Sequence, residues 1–178
     1  MGVGGGVIIG SELYTGPGGS AGELGHIVVH PEGPSCSCGG AGCLETFAGQ
    51  EAIFEAARIP EGSLGRRTEL LLAALAADEP HAKRAVRDAG RYLGIALASS
   101  ARLMDVEAVV LGGHFAVLAE WLKPAVLSSL ERYAPGLLKP ESLTVSRLEH
   151  SGTLLGAAGQ VIRAVIESPS EFLLGKPA

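Results

Sequence analysis

The stretch Pro34–Thr46, PSCSCGGAGCLET, holds all three cysteines of a 178-residue chain. An odd number of thiols cannot pair completely, and in a secreted protein one would be left over. In a reducing compartment, clustered cysteines are more often metal ligands than disulfides. Three sulfurs then need a fourth donor to complete a tetrahedral site. Just upstream, His26 and His30 bracket the run HIVVH. The candidate donor sets are therefore Cys36, Cys38 and Cys43 with either His26 or His30. Gly39, Gly40 and Gly42 let the loop bend around an ion. Three soft thiolates and an imidazole suit zinc (Zn2+), and four protein ligands make such a site structural, with no position open to water. Ordinary unligated thiols are the alternative. A Cys36–Cys38 bridge would close a strained ring.

Outward from this loop the chain is unremarkable in composition. Apolar residues make up 47%, enough for a sizeable core and too many for a disordered chain. The net charge is -5 and aromatic residues are 4%, so neither a basic face nor a base-stacking surface marks a nucleic-acid-binding module. No run approaches the roughly 20 apolar residues that a membrane helix needs. The glycine-rich start has no basic segment ahead of an apolar one, as a signal peptide would. The expected location is the cytoplasm.

Strand and helix patterns alternate along the chain, which points to an α/β protein. Val7–Ile9 and Glu12–Tyr14 read as a hairpin around Gly10-Ser11. HIVVH, residues 26–30, reads as a second extended run. Apolar spacing predicts helices over residues 44–57, 68–77 and 116–133, and a long one that follows Pro80 and carries its apolar stripe to Met104. Gly90 and Gly94 in that long helix imply close packing on a neighbour. EAVVLGG and SLTVSRL read as strands, GTLLGAAGQVIRAVIE as a last amphipathic helix, and the tail after Ser168 as irregular. No domain boundary is visible, so residues 1–178 read as one domain.

The segment GSAGELGHIVVHPEGPSCSCGGAGCLET, residues 19–46, resembles the signature of the ROK family (repressors, open reading frames and kinases). GELGH at Gly22–His26 and CSCGGAGCLE at Cys36–Glu45 carry the match. VVLGG at Val109–Gly113 and GTLLGAAG near the end follow in family order. The resemblance implies an actin-like, ribonuclease-H-like α/β fold and a homodimer. It selects His26 over His30 as the metal ligand. It also implies that Glu23, His26 and Glu45 line a sugar site for a hexose or hexosamine. Such roles make chemical sense. A carboxylate accepts two hydroxyl hydrogen bonds, and a metal-bound imidazole presents its second nitrogen in a fixed direction. Glu45 also lies in the first turn of a predicted helix, where the dipole alone favours a carboxylate.

Against the family pattern, the Asp-Gly-Gly-Thr phosphate loop and the catalytic aspartate of a ROK kinase are not in this sequence. The opening MGVGGG stands where Gly-Thr-Gly begins the family's hairpin. The expectation is the second lobe of a longer member. Gly2, Gly4 and Gly5 would approach nucleotide phosphates in an intact ATP-dependent kinase, and Gly112 and Gly113 would lie near adenosine. A tight hairpin and a strand-ending turn explain the same glycines equally well. On this reading the chain alone is not a kinase. The favoured parent is an actinobacterial-type transcriptional repressor that meets DNA through an amino-terminal domain. A glucokinase-like sugar kinase is the alternative.

Overall fold

The computed structural model describes residues 2–148 and 152–170. The chain opens on a hairpin. Strands β1 (Val7–Ile9) and β2 (Glu12–Tyr14) pair antiparallel with Ile8 opposite Leu13. Gly10 and Ser11 both take positive φ, as a two-residue turn matched to strand twist requires.

HIVVH does not form the expected strand. One turn of 3-10 helix covers Leu24–His26, and Val28 makes a single bridge to Cys43. A β-branched run needs a ladder of partners to become a strand, and the glycine-rich loop opposite supplies one rung.

The predicted helix over residues 44–57 is two helices, α1 (Glu45–Ala48) and α2 (Gln50–Ala56). Gly49 breaks the run by taking an extended conformation, with ψ 153°. Helix α3 (Leu64–Ala76) starts four residues earlier than the apolar pattern indicated, behind Ser63. Helix α4 (Pro80–Met104) opens with proline at its first position, where the missing N–H costs nothing. Strand β3 (Val109–Leu111) follows, then α5 (Gly113–Val117) and α6 (Ala119–Tyr133). Leu118 separates these two, where one helix was expected. Strand β4 (Leu143–Val145) runs parallel to β3, so β3–α6–β4 is a crossover unit. Helix α7 (Gly152–Glu167) has the predicted bounds. Most of the tail expected to be irregular lies outside the described residues.

Helix α4 is the hub. α1, α2, α3 and α6 all pack on it. Its stripe of Ala82, Ala85, Val86, Ala89, Leu93, Ala96 and Leu97 is buried against Leu122, Val126 and Leu130 of α6 and Phe54 of α2. Two glycines set the α4–α6 distance. A Cβ on Gly90 would stand 2.6 Å from the Leu122 carbonyl oxygen. One on Gly94 would stand 2.5 Å from Ser129 Cβ and 2.7 Å from the Val126 carbonyl oxygen. The backbones are thus in direct contact, and neither can yield without moving a helix. Helix α7, by contrast, buries no residue among those described. It meets the hairpin through an ion pair from Arg163 to Glu12.

Gly94→Ala should therefore cost about 2 kcal/mol or more, within the usual range for overpacking. Gly4, whose Cβ would meet nothing within 4 Å, is the control position. Urea denaturation of both alanine variants checks this. A Gly94→Ala protein as stable as Gly4→Ala would show that α4 and α6 are not held at this distance.

Candidate functional site

The cysteine loop folds back on the segment before it. The Val29 and His30 N–H groups both donate to the Gly42 carbonyl, at 2.9 and 3.2 Å, and Leu44 N–H donates to Ile27 at 2.9 Å. Within the loop, Cys36 N–H donates to Gly40 at 2.8 Å and Gly42 N–H to Pro34 at 2.8 Å. Gly42 cannot be replaced cheaply. Its φ is +70°, and a Cβ would collide with the His30 carbonyl oxygen.

This folding collects four donors. The ligand atoms of His26, Cys36, Cys38 and Cys43 all lie within 4.8 Å of one another. Cys38 Sγ and Cys43 Sγ are 3.7 Å apart, and His26 Nδ1 is 3.6 Å from Cys36 Sγ. A tetrahedral centre with metal–sulfur bonds of about 2.3 Å has sulfur–sulfur edges of about 3.8 Å. The residues present therefore fit a metal ion in both chemistry and spacing. The His30 ring is elsewhere, stacked on Phe47 at 5.9 Å between centroids. Of the two histidines the sequence left open, only His26 joins the thiols.

The three thiols are not equivalent. The Cys36 pKa is lowered to about 7, chiefly by the Cys38 backbone hydrogen bond to it. Burial pushes Cys43 up to about 12. A buried thiol that resists ionisation in the free protein makes metal binding release a proton.

The second nitrogen of His26 faces a carboxylate. Nε2 is 3.8 Å from Glu23 Oε2, while Nδ1 points to the sulfurs. A carboxylate behind a ligating imidazole fixes its orientation. Glu45, at the start of α1, is partly buried, and its Oε2 accepts the Val3 N–H at 3.1 Å. The same Val3 lies against Gly25, since a Cβ on Gly25 would strike the Val3 carbonyl oxygen. Val3 thus joins the Glu23–His26 turn to Glu45, and among the described residues the second oxygen of Glu45 accepts no hydrogen bond. The helix dipole is therefore not the whole account of Glu45.

The proposed nucleotide glycines fall in two places. Gly2 abuts the Glu45 carboxylate and Gly5 the Gly22 carbonyl, with Gly4 between them facing open space, so this run belongs to the same neighbourhood as Glu23 and His26. Gly112 and Gly113, at the end of β3, face open space.

One residue was missed in the sequence. His114 Nε2 lies 2.9 Å from the Ala48 carbonyl oxygen and ties α5 to α1. The ring donates there as neutral imidazole, and burial holds its pKa below the ordinary 6.5. A lone histidine after two glycines gives no signal of a bond to a residue so distant in sequence.

A loop of three thiols and an imidazole that could hold a metal ion, two carboxylates on a shared backbone link, and a β–α–β unit behind them belong to an α/β protein. A model of the ROK family matches residues 1–164, and the chain belongs to that family. It is 33% identical to the N-acetylmannosamine kinase of Escherichia coli O1:K1 over 158 residues, 88% of this chain and 52% of that one. The solved ROK hexokinase from Thermus thermophilus is 38% identical, with a TM-score of 0.72, over 88% of this chain and 54% of that one. A ROK family transcriptional regulator, a homologue of the E. coli MLC protein, is 30% identical with a TM-score of 0.67, over 81% and 39%. The chain spans about half the length of the curated relatives it matches. Its α/β fold is thus that of the ROK sugar kinases, the actin-like ATPase class. No helix among the described residues is long and apolar enough to cross a membrane.

Two outcomes follow from this geometry. Purified chain should carry about one tightly held metal ion. Cys43→Ser should lose both metal and stability, and His30→Ala should keep the metal. Elemental analysis of each variant decides, and a folded, metal-free, reduced protein would count against the site. Separately, His114 resists protonation in the folded state, so the unfolded chain binds more protons below pH 6.5. Its contribution is present above that pH and lost as pH falls through it. Stability measured between about pH 7 and 5 should drop less steeply in His114→Gln than in the parent.

Proposed function

We propose that this chain is the zinc-stabilised, sugar-recognising lobe of a ROK-family protein, with residues 1–178 forming one unit. The observation that carries this reading is the shared placement of Glu23, His26 and Glu45. The cysteine cluster orders one end of the turn, and Val3 joins it to the other. Zinc suits the donor set of three thiolates and one imidazole. With four protein ligands it supplies structure rather than an activated water. Glu23 then fixes His26 as a second-layer partner, and the open oxygen of Glu45 accepts sugar hydroxyls.

The sugar is a hexose or an N-acetylated hexosamine. The likeness to a hexokinase and to N-acetylmannosamine kinases supports that class. It also supports a kinase parent, with ATP as phosphoryl donor and Gly112 and Gly113 on the nucleotide side. The likeness to a ROK regulator supports the second reading, a repressor whose sugar-sensing part this is and which reaches DNA through another domain. A homodimer and a cytoplasmic location belong to either reading. Leu154, Val161, Ile162 and Ile166 of α7 are exposed apolar side chains that a partner surface would cover.

Titration calorimetry with glucose, N-acetylmannosamine and N-acetylglucosamine tests the proposal. Binding should be weak, on the order of millimolar, because these residues make a partial set of contacts. Glu45→Gln keeps an oxygen to accept the Val3 N–H but removes the charge. It should retain metal and fold and lose the sugar signal. Equal binding by Glu45→Gln and the parent would remove Glu45 from the sugar site.

A further inference from the structure

On the outer side of the α4–α6 pair lies a groove of about 680 Å³, within the size range of small-molecule sites. We propose that it binds a small phosphorylated metabolite carrying two or more negative charges. It lies on a different face from Glu45 and does not rest on the sugar reading.

The groove follows from the glycines. Gly90 and Gly94 bring α4 against α6, so longer side chains on either side stand as walls. One wall is cationic. Arg84, Arg87 and Arg91 recur at three- and four-residue spacing and so share a face of α4 about 10 Å long. Arg132 of α6 adds a fourth guanidinium. The protein as a whole carries a net charge of -5, so this concentration of cations is a local departure.

Most of that charge is uncommitted. Lys83 is paired with Asp78 at 2.7 Å, and Arg87 has Asp88 at 3.4 Å inside the groove. Among the described residues Arg84, Arg91 and Arg132 have no carboxylate partner. Arg91 is stacked on Tyr92 at 4.2 Å and Arg132 on Tyr133 at 5.5 Å, which holds their guanidinium planes while leaving N–H donors available. Guanidinium donors of this kind match phosphate oxygens in pairs.

A second feature points to a ligand. Ser129 is only 5% exposed, lines the groove, and makes no hydrogen bond within the protein among the described residues. Its hydroxyl is not sealed from solvent and can donate to a phosphate oxygen in the groove. Trp121, partly buried in the opposite wall, offers a flat apolar surface for the body of the metabolite. A second copy of this chain meeting groove to groove across a two-fold axis would set cations against cations.

Trp121 is the protein's single tryptophan, so its fluorescence reports on the groove alone. The metal-loaded chain would be titrated with pyrophosphate, glucose 6-phosphate and ADP at constant ionic strength of about 0.15 M. A saturable change is expected, and the tightest of the three probes separates a bare phosphate requirement from a sugar phosphate or a nucleotide. Arg84→Ala and Arg132→Ala, both surface changes, should each weaken binding about tenfold. Calorimetry on the same variants keeps the result independent of the fluorophore. Glu45→Gln should leave this binding unchanged, so failure here and failure of the sugar site are separable. The proposal is overturned by a response no larger than sodium chloride gives, or by equal affinity in both arginine variants. It is also overturned if a poly-glutamate peptide binds more tightly than every phosphorylated probe, or if ultracentrifugation shows a dimer that Arg132→Ala dissociates.

Discussion

Residues 19–46 carry the candidate site almost without regular secondary structure, so a metal held there would do what a sheet otherwise does. The segment has one 3-10 turn and two isolated bridges. A handful of backbone hydrogen bonds to Gly42, Ile27 and Pro34 fix its path. Each such bond contributes only about 1 kcal/mol net, against a similar ordering cost for every residue held. A metal held by His26, Cys36, Cys38 and Cys43 adds several strong bonds at one point. It acts on the turn bearing Glu23, and through Leu44 on the start of α1 that bears Glu45. Metal loss should therefore be felt first at those two carboxylates and last in α4 and α6.

What the sequence disclosed, and what it hid, follows from the range of the interactions involved. The β1–β2 hairpin, α4 and α7 were legible because their signals are local: a Gly-Ser turn after a β-branched triplet, a proline at a helix start, a sustained apolar stripe. HIVVH misled because β-branched residues mark a tendency, while a strand also needs a partner edge. The helix breaks at Gly49 and Leu118 were hidden because apolar spacing continues across them. At the site, the three cysteines were plain, yet the choice of His26 over His30 needed either the family resemblance or the fold. The bond from Val3 to Glu45 spans 42 positions and has no counterpart in any local pattern. The groove lay half visible. Arg84, Arg87 and Arg91 share a helical face in the sequence, but their facing wall on α6 required the close approach at Gly90 and Gly94.

Those glycines also explain why an alanine-rich helix can serve as the hub. Small side chains bury little apolar area each, so a helix of alanines is a weak core by area alone. Backbone contact at Gly90 and Gly94 compensates by letting Leu93, Leu97, Leu122 and Val126 interlock closely. Packing density of this kind is intolerant of added volume. It also leaves the outer faces of α4 and α6 free for polar and charged residues.

The cysteine loop and the outer face of α4 are connected through one stack of rings. His30, in the loop segment, lies over Phe47 of α1, and Phe47 lies over Tyr92 of α4 at 4.1 Å. Arg91 then covers Tyr92 from the groove side. Phe47 is two residues from Glu45, so the stack joins the helix that bears Glu45 to a guanidinium of the groove. Arg91 and α1 therefore share one line of packed rings. Coupling between two sites is reciprocal by thermodynamic necessity. If the stack transmits, phosphate binding at the groove and sugar binding at Glu45 must alter one another by the same factor. Tyr92→Leu, which removes the central ring while keeping an apolar side chain, is the substitution that would uncouple them.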